Sequence, residues 1–286
     1  MPNLPVGGVD TGSPLTAGRL EFGLAFTYGY RNSMKEGDQP APNLEEAFTG
    51  ARVLSLEAAL GLWRGLGVRL GIPILGLVYS DGGAQQKESG VGDLWLRLGY
   101  THTAGQLNGA FTLHGNIGVS APTGSTVATD LPPNAAYASQ TFNPLLGLDL
   151  GYDFRFGLGF FALGDARWVP YARDDRRAGS SITYGVGIRY QLFDRLFPWV
   201  GAIALHRFPD QVAGEPMSNS GTDTLYVGVG LPYAFRWKPL QGLALHATLM
   251  IPAYQHVNGM QLVEALNVTV GIRYGFNAWN PDPPTR

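Results

Sequence analysis

The sequence predicts an all-β fold: a transmembrane up-and-down antiparallel β-barrel of about twelve strands, with short periplasmic turns and long extracellular loops. Three observations predict it. Large apolar residues alternate with small or polar ones along most of the chain, and a period of two is the signature of a strand. The links between the alternating segments are short and long in strict turn. The 286 residues include 40 Gly and only 15% charged residues, against roughly 7% Gly and about 25% charged in an average soluble domain. So little charge would leave a water-facing surface poorly solvated.

The alternation is complete from the first strand. In RLEFGLAFTYGYR, Leu20, Phe22, Leu24, Phe26, Tyr28 and Tyr30 share one face, and Glu21, Gly23, Ala25, Thr27, Gly29 and Arg31 the other. Further strands are predicted over 53–62, 68–79, 93–101, 110–120, 142–154, 158–171, 181–191, 197–208, 224–237, 243–252 and 263–276. Most are close to the roughly 9 to 11 residues that cross a bilayer at a tilt. Short links fall near 63–67, 102–108, 154–157, 193–195 and 238–242. Long ones, rich in Gly, Pro, Ser, Asp and Asn, fall at 32–50, 80–90, 121–141, 172–180, 209–221 and 253–261. The last strand, NVTVGIRYGF, is expected to close against the first.

Period alone does not say which face looks inward, because a soluble barrel shows the same alternation. The two faces differ in chemistry. One is nearly all Leu, Val, Ile, Phe and Tyr; the other carries Glu21, Glu57, Arg69, Asp93, Arg97, Asp149, Asp165, Arg167, Arg189 and Arg273 among many glycines. An apolar band facing lipid around a polar lumen is the assignment a membrane barrel requires. The expected lumen lining is therefore Glu21, Glu57, Arg69, Asp93, Arg97, His114, Asp149, Arg189, His246 and Arg273. Tyr28, Tyr30, Trp63, Trp168, Trp237, Tyr274 and Phe276 gather near strand ends and read as two interfacial girdles; ordinary strand preference of aromatics is the alternative source. Arg273 and Glu21 fall at similar heights on either side of the closing seam, as an ion pair or as two separately solvated charges.

Three regions follow: an N-terminal periplasmic segment or plug over 1–18, the barrel over 19–276, and a C-terminal periplasmic tail over 277–286. The start, MPNLPVGGVDTGSP, lacks the basic and apolar regions of a signal peptide, so the signal that export to a bacterial outer membrane requires is not in this chain. No cysteine is present, which removes disulfides and thiolate metal sites. A net charge of −2 gives no bulk attraction for a polyanion, so nucleic acid is not an expected partner. The partners expected of such a barrel are outer-membrane lipid including lipopolysaccharide, the barrel assembly machinery during biogenesis, a small-molecule solute and envelope proteins.

The closing aromatic strand resembles the signal by which outer-membrane barrels are handed to their assembly machinery, although here NAWNPDPPTR follows Phe276. The segments LGIPIL (70–75), GVGDLWLRLGY (90–100), GVSAPTGS (118–125) and LMIPAY (249–254) resemble the outer-membrane transporters named for the meta pathway of phenol degradation. That family pairs an apolar strand ending in proline with a glycine-aspartate start to the next strand, and places a proline-threonine-glycine motif at a strand end. The resemblance implies an outer-membrane channel or transporter and says nothing firm about phenol.

Catalytic constellations do not assemble from the sequence. A barrel phospholipase needs a His and a Ser two apart on one strand face, and none of His102, His114, His206, His246 or His256 has that neighbour. Barrel proteases need clustered acids with a His near the rim; Asp165 with Arg167, or Asp174 with Asp175, come nearest and read more simply as solvated charges. His114 and His246 lack paired metal spacing, so no metal and no cofactor are expected. The inward glycines, Gly71, Gly187 and Gly230 among them, are expected to leave a bore open or let the backbone curve. Acids and arginines of similar number on the lumen face point to weak charge selectivity. The function expected is passage of small solutes, hydrophobic or aromatic ones included. The alternative is a structural barrel that docks a larger envelope machine, and a lumen closed by salt bridges would favour it.

Overall fold

The computed structural model describes residues 15–80, 85–106, 108–125, 139, 141–173, 175–193, 195–238 and 240–279. All the regular structure among them is strand. In chain order these are β1 (Arg19–Gly37), β2 (Gln39–Ala41), β3 (Phe48–Trp63), β4 (Leu66–Ser80), β5 (Gln86–Val91) and β6 (Trp95–Gln106). Next come β7 (Gly109–Ser120), β8 (Asn143–Phe154), β9 (Leu158–Arg167), β10 (Arg176–Arg177), β11 (Ser181–Tyr190) and β12 (Trp199–Arg207). The last are β13 (Gln211–Val212), β14 (Glu215–Pro216), β15 (Thr222–Gly230), β16 (Tyr233–Ala234) and β17 (Leu243–Asn277).

The long strands pair antiparallel with their neighbours in chain order, from β1 through β3, β4, β6, β7, β8, β9, β11, β12 and β15 to β17. β17 then pairs with β1 from Arg19↔Asn277 to Gly37↔Val257, which closes the sheet into a barrel without a free edge. β17 is a single 35-residue element, whose straight length would be about 115 Å. Its two ends nevertheless meet, Gly275 N–H donating to the Gly242 carbonyl at 2.9 Å. Its first half pairs with β15 and its second with β1. The long loop expected over 253–261 is therefore strand throughout, because backbone groups in that stretch find ladder partners on both neighbours.

Two other expected loops are shorter than the composition suggested. β1 continues to Gly37 and turns into β2, Met34 facing Ala41 and also Leu262. β5 occupies 86–91 and pairs with the upper half of β4, Tyr79 opposite Gln86 and Ile74 opposite Val91. The strand expected over 158–171 ends instead at Arg167, where Pro170 would supply no ladder donor. At the other end of the barrel β3 and β4 are joined through Gly65, whose φ of +85° suits glycine and whose Cβ position lies 2.1 Å from the Thr101 carbonyl oxygen.

Side-chain exposure inverts the soluble pattern. On β11, Ile182, Tyr184, Val186 and Ile188 are 42–61% exposed while Ser181 and Gly185 are buried. On β1, Phe22 is 50% exposed and Glu21 only 4%. The outer surface is a continuous apolar band and the polar groups point into the bore, so the band's natural solvent is lipid. The wall is uneven in height. β12 and β15 have nine residues each and β1 has 19, so the low wall is just long enough to cross a bilayer and the seam of β1 and β17 rises above it.

The interior is packed. Phe161, Trp199, Ile203, Leu205, Tyr226 and Met250 form an inward-facing cluster with Leu163 against it, and the Phe161 and Trp199 rings meet edge to face at 5.8 Å. The inward glycines receive these side chains. A Cβ on Gly187 would lie 2.3 Å from Phe161 Cζ, and one on Gly230 1.9 Å from Trp199 Nε1. Trp95 fills Gly71 in the same way, and His246 fills Gly271. These four glycines are packing notches for large neighbours and do not widen the bore where they stand, whereas a Cβ on Gly23 would meet nothing closer than Glu57 Cβ at 3.5 Å.

Candidate functional site

The bore is the site, and its charged groups come from inward positions of separate strands. Arg97 on β6 forms a salt bridge with Asp165 on β9 and donates to Asn116 Oδ1 at 2.8 Å. β7 and β8 stand between those strands, so this pair bridges over the inner face of the wall they form. Arg189 on β11 forks onto Asp153 on β8, Nε to Oδ1 at 2.7 Å and Nη2 to Oδ2 at 2.5 Å. β9 runs between them at Gly159, which faces Asp153 in one ladder and Arg189 in the other. A bidentate fork across a glycine fixes both side chains in one plane.

The predicted lining residues fall into distinct places. Glu21, Glu57, Arg69 and Arg273 line one small cavity together with Gly23 and Ala59, toward the end where β1 begins and β17 ends. Glu21 accepts from Arg19 Nε at 2.6 Å, so the partner described for Glu21 is Arg19, while Arg273 shares its cavity. His114 meets Thr101 Oγ1 through Nδ1 at 2.8 Å and faces Asp149 across the ladder. His246 lies in the notch of Gly271.

Asp93 belongs to the wall and not to the open lining. It is 4% exposed and accepts from Gly124 N–H at 3.2 Å, Ser139 N–H at 2.8 Å and Ser139 Oγ at 2.7 Å. Around it three of the quoted motifs meet. Gly92 N–H donates to the Pro73 carbonyl at 2.7 Å, Leu94 N–H to Thr123 Oγ1 at 2.8 Å, and Val91 N–H to Ser125 Oγ at 2.9 Å. The ladder breaks between β5 and β6, and the side chains of the proline-threonine-glycine segment accept the amides the break sets free. Asp93 therefore acts as a latch for the loop after β7.

Of the aromatics expected to form girdles, Trp63, Tyr274 and Phe276 lie near strand ends, Trp168 directly follows β9, and Tyr28 and Tyr30 stand midway along β1. Trp63 and Trp168 are each 62% exposed and Trp237, in the non-strand segment after β16, is 54% exposed. Phe22 stacks on Phe276 at one end, and Tyr28 on Tyr30 midway along β1. At the low wall, Arg207 binds Asp210 at 2.7 and 3.0 Å, and Asp210 accepts from Gly179 N–H at 2.6 Å. That holds the small sheet of β10, β13 and β14 on the rim.

Sequence reasoning missed two inward residues, Gln255 and Glu264, each at least 93% buried. Two β-bulges hide them. Leu225 faces Tyr254 but Tyr226 faces Pro252; Tyr30 faces Leu266 but Arg31 faces Glu264. Each slip changes which parity points inward, and a signal that reverses twice within one element is lost to a fixed period of two.

No family model matches the chain, and no curated protein sequence does. Among solved structures it is similar to an outer membrane channel from Pseudomonas putida F1, at 17% identity and a TM-score of 0.77, over 94% of this chain and 100% of that one. The beta domain of the Bordetella autotransporter BrkA gives 12% identity and 0.48 over 90% of this chain and 99% of that one. The translocator domain of the autotransporter NalP from Neisseria meningitidis gives 13% and 0.48 over 94% and 91%. The last two likenesses are too loose to argue from, and the first speaks for the fold. The chain has the fold of an outer-membrane β-barrel channel.

Proposed function

We propose that this chain is a non-enzymatic channel that passes small solutes, hydrophobic and aromatic ones among them, across a bacterial outer membrane. One observation carries the reading: a closed sheet with an apolar exterior and polar groups inside has the fold of a solved outer-membrane channel. A pair such as Arg97 with Asp165, part-exposed and projecting from the wall into the bore, leaves a path that its own rearrangement widens. Counting the two halves of β17 separately, the barrel makes twelve passes. The meeting of the motifs around Asp93 supports distant kinship with the phenol meta-pathway transporters. Lipopolysaccharide outside and the barrel assembly machinery during biogenesis are the partners this reading requires.

The N-terminal segment serves as a plug at the end where β1 begins. Leu15 is 6% exposed and packs on Gly67, and Gly18 N–H donates to the Gly61 carbonyl at 2.9 Å. Residues 1–14 and 280–286, most of the plug and of the tail, lie outside the described residues.

Ion pairs inside the bore favour a second reading, a closed barrel that docks envelope partners. Liposome swelling separates the two. Purified protein is expected to admit small neutral solutes and exclude large ones, with faster swelling for Arg97→Ala. A protein that inserts and shows a heat-modifiable barrel, yet admits nothing in either form, fits only the docking barrel.

A further inference from the structure

Three neighbouring turns at the end where β1 begins share one chemistry. They link β8 to β9, β11 to β12 and β15 to β17. Each sets basic residues among aromatic ones: the sequence reads FRF at 154–156, FDR at 193–195 and FRWK at 235–238. The backbone joins the turns into one rim, since Gln191 N–H donates to the Gly157 carbonyl and Ala234 N–H to the Arg195 carbonyl, both at 2.8 Å.

Arg155, Arg195, Arg236 and Lys238 are exposed, and among the described residues none of them joins an ion pair. The one acid of the three turns is Asp194, which lies outside the described residues, so positive charge prevails. The opposite rim has no such bias: it carries Glu45, Glu46 and Glu215 as well as Lys87, Arg173 and Arg176, all exposed.

Aromatic surface accompanies the charge. Phe156 is 65% and Trp237 54% exposed; Phe154 stacks on Phe156 at 5.2 Å, and Phe235 lies 5.9 Å from Trp237. Phe193 is 87% exposed and held at a φ of +53°, a backbone region that bulky residues rarely enter. Burial does not hold it there. The turn does, because Leu192 and Leu196 exchange backbone hydrogen bonds at 2.7 and 3.0 Å around it. Strain kept beneath an exposed ring points to a use outside the chain.

We propose that this rim binds anionic phospholipid. The basic side chains take the headgroup phosphates, and Phe156, Phe193 and Trp237 rest at the boundary of headgroup and acyl chain. Short turns of such barrels face the periplasm, where the outer membrane presents its phospholipid leaflet. Arginine forks onto phosphate oxygens, aromatic rings favour the interfacial level, and a zwitterionic headgroup brings no net charge for the rim to neutralise. The rim also lies under β12 and β15, nine residues each, where a short wall gains most from an anchor at its foot. The inference rests on the outer-membrane reading of the barrel and not on passage.

The test places the purified full-length protein in detergent micelles doped with phosphatidylglycerol or phosphatidylcholine, and native mass spectrometry counts the lipids each barrel retains. Phosphatidylglycerol is expected to be retained about fivefold or more over phosphatidylcholine. Replacing Arg155, Arg195, Arg236 and Lys238 together by glutamine should bring the two near parity. The same loss of charge at the opposite rim, K87Q with R173Q, R176Q and R177Q, should leave the preference standing. Glycerol 3-phosphate, a free phosphate without acyl chains, should not displace the lipid at equal concentration. Heat-modifiability identifies a variant that has lost its fold; if the fourfold variant does, the single glutamine variants carry the test, each lowering the preference. Equal retention of the two lipids overturns the proposal. So does a preference that survives in the folded rim variants, one lost equally at the opposite rim, or displacement by glycerol 3-phosphate. A barrel that inserts into phosphatidylcholine vesicles without any lipid preference removes this rim alone, whereas one that retains neither lipid and fails to insert contradicts the membrane reading as well.

Discussion

At the scale of single residues, the interior is held by polar groups that have several partners each. Asn143 is fully buried and donates to the Thr141 carbonyl at 3.0 Å and Ser139 Oγ at 2.5 Å, while its Oδ1 accepts from Thr141 Oγ1 at 3.0 Å. Ser139 in turn holds Asp93. Removing the amide leaves buried donors and acceptors without partners, each worth about 1–3 kcal/mol. Asn143→Ala is therefore expected to lower stability by about 2 kcal/mol in urea unfolding of the liposome-inserted protein; a change under about 0.5 kcal/mol, typical of a surface site, would mean that the network does not bear on the fold. The inward charges Glu21, Glu57, Arg69 and Arg273 were readable from face and height, because β1, β3 and β4 keep a strict period. Asp153 and Asn116 were not singled out, since their role depends on Arg189 and Arg97 reaching them from other strands, and a single sequence carries no register between strands.

At the scale of elements, exposure of one face and burial of the other is the property that separates a lipid-facing barrel from a water-facing one. Val186, at the middle of β11 and 61% exposed, tests it. Val186→Arg places a guanidinium in the hydrocarbon midplane and is expected to cost about 2–4 kcal/mol in a bilayer. On a hydrated surface the same change would stay within about 0.5 kcal/mol, and that result would contradict the face assignment. Strand existence was legible because each segment alternates over many residues. Strand ends were less so: β1, β5 and the middle of β17 run through Asn, Ser, Gly and Lys, which composition reads as loop. Their backbones pair all the same, since a tall seam offers ladder partners that local chemistry cannot reveal. The bulges at Ala253 and Ala265 escaped for a related reason: alanine sits on either face without cost.

For the whole molecule, closure of β17 on β1 converts a set of alternating strands into a barrel whose outside suits lipid and whose inside is polar at some heights and apolar at others. Of the glycines that composition suggested would open the bore, Gly71, Gly187, Gly230 and Gly271 are filled by Trp95, Phe161, Trp199 and His246, so the proposed passage would require the ion pairs and the N-terminal segment to give way. Single-channel recording of the purified protein in planar bilayers tests that account most directly. Discrete steps are expected, larger for Arg97→Ala and larger again when residues 1–18 are removed, since each change clears a group from the path. A correctly inserted, heat-modifiable barrel that stays silent in all three forms would contradict it.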